Sequence, residues 1–191
     1  MSGRAGLVWN AAQYFNRFIE DCGIACELVT PYMLAAPFYR SSFNCLIIPS
    51  GFANPQYSNL LPALRATSPR IQKFVEAGGN LLVFGAATDK PNAYDWLPFQ
   101  MTYHHDFHPR QVTCTSSSQT GTIINDYDPA NLECDGSFLS GDGENICVSG
   151  RETVVIEKKV GLGKIVATSI HEYPSKSFLI QFCNDGVQTQ F

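Results

Sequence analysis

Runs of a single charge are missing from this chain. Its 13 lysines and arginines stand against 17 aspartates and glutamates, a formal net charge of −4, and no basic stretch gathers them. A nucleic-acid partner is therefore not expected, because binding to a phosphate backbone needs a basic footprint. Long apolar runs are missing too. Clean ones are as short as LII at 46–48, far below the roughly 20 residues of a membrane-crossing helix. The opening MSGRAGLVWN carries one positive charge and then a strand-like run, unlike the apolar core of a secretory leader. No membrane partner and a cytoplasmic location are the expectation. The seven cysteines, at 22, 26, 45, 114, 134, 147 and 183, include no C-x-x-C pair. Several fall at apolar positions where a thiol packs as a small hydrophobe, so reduced structural cysteines are expected.

What is present alternates strand with helix. Gly6–Trp9 reads as a strand. Asn10 is placed to cap the next helix, with Gln13 three residues on, and Ala12, Phe15, Phe18, Ile19 and Cys22 recur at helical spacing up to Gly23. Ile24–Val29 and the wholly apolar Cys45–Pro49 are further strands. Ser68-Pro69 has the form of a helix start, cap then proline, with Ile71, Phe74 and Val75 as the buried face and Gly78-Gly79 as the stop. Leu81–Phe84 follows as a fourth strand. Continuous apolar strands between helices argue for a parallel sheet covered on both faces.

The second half is richer in Thr, Ser, Asn, Asp and Gly. Short β-prone pieces lie at Val112–Thr115, Thr122–Ile124 and Ile146–Val148. Thr153–Lys158 and Lys164–Ile170 are stronger strands joined by the hairpin turn VGLG. Pro174-Ser175 opens a last helix with Phe178, Leu179, Phe182 and Cys183 on one face. No repeat and no low-complexity linker divides the chain. One domain, 1–191, with a β-rich insertion at 95–150, is the expected organisation.

Four passages, CLIIPSGF, RIQKFVEAGGNLLVFGA, ETVVIEKKVGLGKIVATSI and HEYPS, make the chain resemble the class I glutamine amidotransferase-like superfamily. The likeness is to its non-glutaminase branches, such as trehalose-utilisation-like proteins and the trimerisation domain of some β-galactosidases. It implies a three-layer α/β sandwich with a mostly parallel, flavodoxin-like sheet. In an active glutaminase of that superfamily the turn after the fourth strand carries a cysteine, opposite a histidine with an acid two positions later. A thiolate attacks, the histidine manages the proton, and backbone N–H groups receive the oxyanion. Here the turn reads Gly85-Ala86-Ala87-Thr88, with the elbow expected at Gly85 or Ala86 and no nucleophile on either. The histidine corresponds to His171, but Glu172 follows at once, on the opposite side of an extended strand.

His171 and Glu172 are accordingly the candidate catalytic or ligand-contacting pair, at the carboxyl end of a strand where open α/β sheets place their crevices. Ser50 and Gly51 occupy the oxyanion position that the resemblance implies; a tight turn is the plainer reading. Gly85, Ala86 and Thr88, with Asp89 beyond, face the same crevice, although Thr88 has no visible base and suits a cap. The run HHDFH offers His104, His105 and His108 as metal ligands, against exposed histidines on an extended or irregular path. No metal or other cofactor is expected. Tyr94, Trp96, Phe99 and Tyr103 suit packing of the insertion over the sheet better than a sugar-binding wall.

Two functions follow. One is a non-catalytic member of the superfamily that binds a small molecule or a partner protein; the other is a small-molecule hydrolase or amidohydrolase using His171 with a hydroxyl or a metal-bound water. Self-association is expected from the resemblance alone.

Overall fold

A computed structural model describes residues 3–115 and 117–191, so of the MSGR opening only Gly3 and Arg4 are covered. The first half alternates strand with helix: β1 Arg4–Val8, α1 Tyr14–Asp21, β2 Ala25–Val29, α2 Pro31–Ala35, β3 Ser42–Phe43, β4 Cys45–Ile48, α3 Leu60–Glu76 and β5 Asn80–Val83. Then come β6 Met101–Arg110, β7 Thr113–Cys114, a 3-10 turn at Gln119–Ile124, β8 Leu132–Gly141, β9 Glu144–Ser149, β10 Glu152–Val160, β11 Gly163–Thr168, α4 Lys176–Asp185 and β12 Thr189–Gln190.

The main sheet runs β2-β1-β4-β5-β11-β10-β8-β6, with β9 on β10 and β7 on β9. From β2 to β11 neighbouring strands are parallel. Beyond β11 every pairing is antiparallel. The sheet is mostly parallel at its centre and covered on both faces, a three-layer α/β sandwich of flavodoxin-like kind. The apolar run of β4 follows from that double cover. Cys45 and Ile47 point into a core built with α1 and α4, whereas Leu46 and Ile48 point into the one built with α2 and α3.

The aromatic residues after β5 go to packing. Tyr94, Trp96, Phe99 and Tyr103 are buried in the second of these cores, and Phe52 meets Tyr94 and Trp96 edge-on. Burial of such large rings dominates the energy of a core, which explains why the 91–100 segment lies on the sheet.

Four local expectations are corrected. α3 does not start at Ser68-Pro69; it begins eight residues earlier and carries Pro69 inside it. Its long apolar face, with Leu60, Leu61 and Leu64 buried beside Ile71, Phe74 and Val75, outweighs the missing N–H of one proline. The Ser68 hydroxyl donates instead to the Trp96 carbonyl. α1 is capped by Gln13 with Asn16 in a reciprocal box, and Asn10 lies outside it. Thr122–Ile124 belongs to the 3-10 turn, not to a strand. Last, the cysteines are not all reduced: Cys45 is bridged to Cys183 and Cys114 to Cys147. The two partners of each bridge are distant in sequence and close in space, which spacing alone does not reveal.

Candidate functional site

The carboxyl ends of β4, β5 and β11 lie side by side, and three turns leave them at the end of the sheet where open α/β folds form their crevice. After β4, Ser50 is followed by Gly51 with φ +83°, a left-handed conformation that glycine adopts without strain. The Gly51 N–H donates 2.8 Å to the carbonyl of Gly85, stitching the second turn to the first. After β5, Ala87 has φ +50° and is the one non-glycine residue in the left-handed region among the described residues. The strained position of the turn is thus one residue beyond Gly85-Ala86. Its carbonyl is held by Asn54 Nδ2 at 3.0 Å. Ala86 is buried, and Thr88 is half-buried beside it.

The third turn carries His171, whose partner comes from β8. The β8 backbone wedges against the end of β11: Asp135 N–H donates 2.6 Å to the Ser169 carbonyl, and His171 N–H donates 2.9 Å to the Glu133 carbonyl. This brings Asp135 under the histidine. His171 Nδ1 lies 2.8 Å from Asp135 Oδ1, and the Ser50 hydroxyl donates to Asp135 Oδ2. Asp135 is almost fully buried, with its side chain 6% exposed against 49% for His171. A carboxylate so far from water needs its oxygens satisfied, and these two donors do so. Gly85 makes the approach possible, since a Cβ there would stand 2.9 Å from the Asp135 Cβ.

Because a carboxylate only accepts, Nδ1 of His171 carries a proton, and in the neutral imidazole the lone pair is on Nε2. His105 is fixed the same way. Its Nδ1 lies 2.7 Å from the Asp135 carbonyl, so the proton sits there and Nε2 is again the acceptor. The Tyr103 hydroxyl donates to that carbonyl at 2.9 Å, and burial pushes its phenol well above the ordinary range. Asp89, exposed, accepts from the His105 N–H at 2.8 Å and pairs with His104 Nδ1 at 3.1 Å. The His105 N–H is the main reason its carboxyl is held below the usual value.

The structure brings together Ser50, Gly51, Gly85 and His171 of the sequence-expected residues, with Ala86 and Thr88 on the same turn. Glu172 is elsewhere. Its carboxylate adds to the burial that raises the Tyr127 hydroxyl, and Asp135 holds His171 in its place. The histidines of HHDFH lie on β6 and take separate partners, His108 pairing with Asp106 at 3.1 Å. Among the described residues no three His, Cys, Asp or Glu side chains are grouped to hold a metal ion.

Asp135 escaped sequence reasoning. The signal was a carboxylate directly before a glycine in the strand LECDGSFL, sharing the alternation of Glu133 and not that of the apolar positions beside it. Its meaning emerges only when β8 is laid against β11.

The cysteines outside the two bridges are Cys22, Cys26 and Cys134. Burial pushes the Cys134 thiol up to about 12 and that of Cys26 up to about 11. Burial also raises Cys22.

Two large cavities lie apart from this crevice. One of about 770 Å³ sits between the 91–102 segment and Ser140–Asp142. The other, about 440 Å³, lies between α2 and α3.

No family model matches the sequence, and no curated protein matches it. Solved structures do match in shape. A GMP synthase subunit-like protein from Thermoplasma acidophilum superposes with a TM-score of 0.63 at 14% identity, over 97% of this chain and 94% of that one. A cytoplasmic protein of Salmonella typhimurium superposes at 0.53 and 12% identity, over 95% and 98%. The β-galactosidase of Bacillus circulans sp. alkalophilus gives 0.55 at 11% identity; the match covers 96% of this chain but only 30% of the glycosidase. At such identities the likeness is one of fold alone.

Proposed function

We propose that this chain is an amidotransferase-like domain that has no catalytic cysteine and binds a small ligand over Ser50, Asp135 and His171. The observation that carries the reading is the turn after β5: its strained residue is Ala87, whose methyl group has nothing to attack with. Strain of this kind is kept where surrounding structure imposes it, often at functional sites. The rest of the crevice fits binding better than turnover. The Gly51 N–H, at the position the resemblance gives to an oxyanion donor, is already taken by the Gly85 carbonyl. The Ser50 hydroxyl is directed at Asp135, not at the histidine. What is presented outward is His171, oriented and half-exposed.

A second reading rests on one observation. A histidine whose Nδ1–H is held by a buried carboxylate has the orientation of a general base. On this reading His171 Nε2 takes a proton from a hydroxyl or water that attacks an ester or amide.

One experiment separates the two. Purified protein is assayed for ammonia release from L-glutamine and for hydrolysis of p-nitrophenyl acetate, beside His171→Ala and Asp135→Asn. The binding reading expects all three to match the uncatalysed rate. Hydrolysis by the parent chain that both substitutions abolish overturns it in favour of the hydrolase.

A further inference from the structure

Two large exposed aromatic side chains lie beside residues of this site. Tyr57 is 60% exposed and lies against Gly51. Phe107 is 51% exposed, with its ring centroid 5.0 Å from that of His171 at 76°. A single exposed aromatic needs no explanation. They stand at the two ends of a line of contacts that runs from Gly51 through Gly85 and Asp135 to His171.

Along this line the groups offered are mainly acceptors and carboxylates. With Nδ1–H engaged, the neutral imidazoles of His171 and His105 each keep an acceptor lone pair on Nε2. The Asp135 carboxylate lies directly beneath, and the exposed Asp89 stands alongside. Of the neighbouring cations, the buried Arg110 is ion-paired with Glu152 and Asp106. Lys90, whose Nζ meets the neutral Ala53 carbonyl at 3.4 Å, is a single positive charge against the two carboxylates. A carboxylate or phosphate would meet lone pairs and negative charge. A group with N–H donors and a positive charge meets acceptors, carboxylates and the negative faces of two rings.

Resting on the reading of this crevice as a binding site, we infer that it recognises an organic cation, an alkylammonium or guanidinium group. The same chemistry is carried by a free amine and by a lysine or arginine side chain.

Three probes of equal chain length isolate the charge: cadaverine, pentane-1,5-diol and glutarate. Each is titrated into the full chain while the imidazole signals of His171 and His105 are followed by NMR. Cadaverine is expected to shift both, at least tenfold more tightly than the diol, and to weaken with added salt. Phe107→Ala and Tyr57→Ala are each expected to weaken it several-fold. Nα-acetyl-lysinamide, run in parallel, identifies a protein side chain as the source if it matches cadaverine, and a free amine if it does not. If the diol or glutarate shifts His171 as well as cadaverine does, the cation inference falls while the binding reading stands. Silence of His171 toward all three also overturns the inference. If cadaverine binds unchanged in His171→Ala and Phe107→Ala, the amine sits elsewhere and the site itself is misread.

Discussion

His171 donates from Nδ1 to Asp135 Oδ1 across 2.8 Å, although 36 residues separate them in the chain. The carboxylate is buried and the imidazole half-exposed, so the pair converts a fixed interior charge into a fixed surface tautomer. Asp135→Ala is expected to lower stability by about 1–3 kcal/mol, because Ser50 and His171 lose a charged acceptor together. Urea unfolding measures the loss. The imidazole NMR signals of His171 should report a mixture of tautomers in the variant and one in the parent.

The left-handed Ala87 supplies a second prediction. A Cβ in that conformation costs roughly 1–2 kcal/mol, and Ala87→Gly relieves it while loosening the unfolded chain by about 0.4–1 kcal/mol. The net change should be small. Ala87→Val, with a branched side chain at the same φ, should destabilise clearly. Equal urea midpoints for the two variants would show that the turn relaxes out of its strained conformation.

Gly136 lies where β6 crosses β8, and a Cβ there would strike the His104 carbonyl and the Tyr103 ring. Gly136→Ala should therefore push β6 off Asp135 and cost about 1–3 kcal/mol or more. The diagnostic readout is local: the His105 imidazole should lose its fixed tautomer even under conditions where the variant remains folded.

Acid stability should depend on Glu27. Burial alone would raise its carboxyl, but hydrogen bonds from Tyr39, Ser41 and Arg4 overcome that and hold it below its ordinary value. A depressed carboxyl stabilises the fold above its unfolded value, roughly pH 4.3, and that contribution fades as pH falls through the lower folded one. Glu27→Gln should accordingly flatten the acid limb of the stability curve. An unchanged slope between pH 5 and 3 would remove Glu27 from the account.

Thiol counting tests the bridges and the absence of a reactive cysteine together. Two disulfides use four of seven cysteines, leaving Cys22, Cys26 and Cys134. Native protein at neutral pH should label slowly with iodoacetamide, because the thiolate is the nucleophile and all three thiols are raised. Denatured, unreduced protein should take three labels and reduced protein seven. Seven without a reductant would restore the expectation of free thiols.

Much of the fold was legible because its causes are local or periodic. The apolar run of β4, the VGLG hairpin and the Ser175 cap of α4 each announce themselves within a few residues. His171 and Ser50 were legible as positions at strand ends. Asp135 was not, because nothing near it says which strand it will meet: its neighbours Ser169 and His171 come from a later part of the chain. The helix start was misread at Ser68-Pro69 for a related reason. A cap-and-proline pair is a strong local signal, and only the tertiary face of α3 overrules it.

The bridge between Cys45 and Cys183 spans 138 residues of sequence. In the oxidised chain those residues form a closed ring, and closing a ring of that size removes about 5 kcal/mol of freedom from the unfolded state. Ser50, Gly85, Asp135 and His171 all lie inside it. The outer parallel strands β1 and β2 belong to a tail that precedes the ring and is laid along its β4 edge. Cutting the bridge would open that loop of the unfolded chain and leave Ser50, Gly85, Asp135 and His171 each in its own strand or turn, so reduction should lower the stability of the fold and leave the arrangement of these residues as it is.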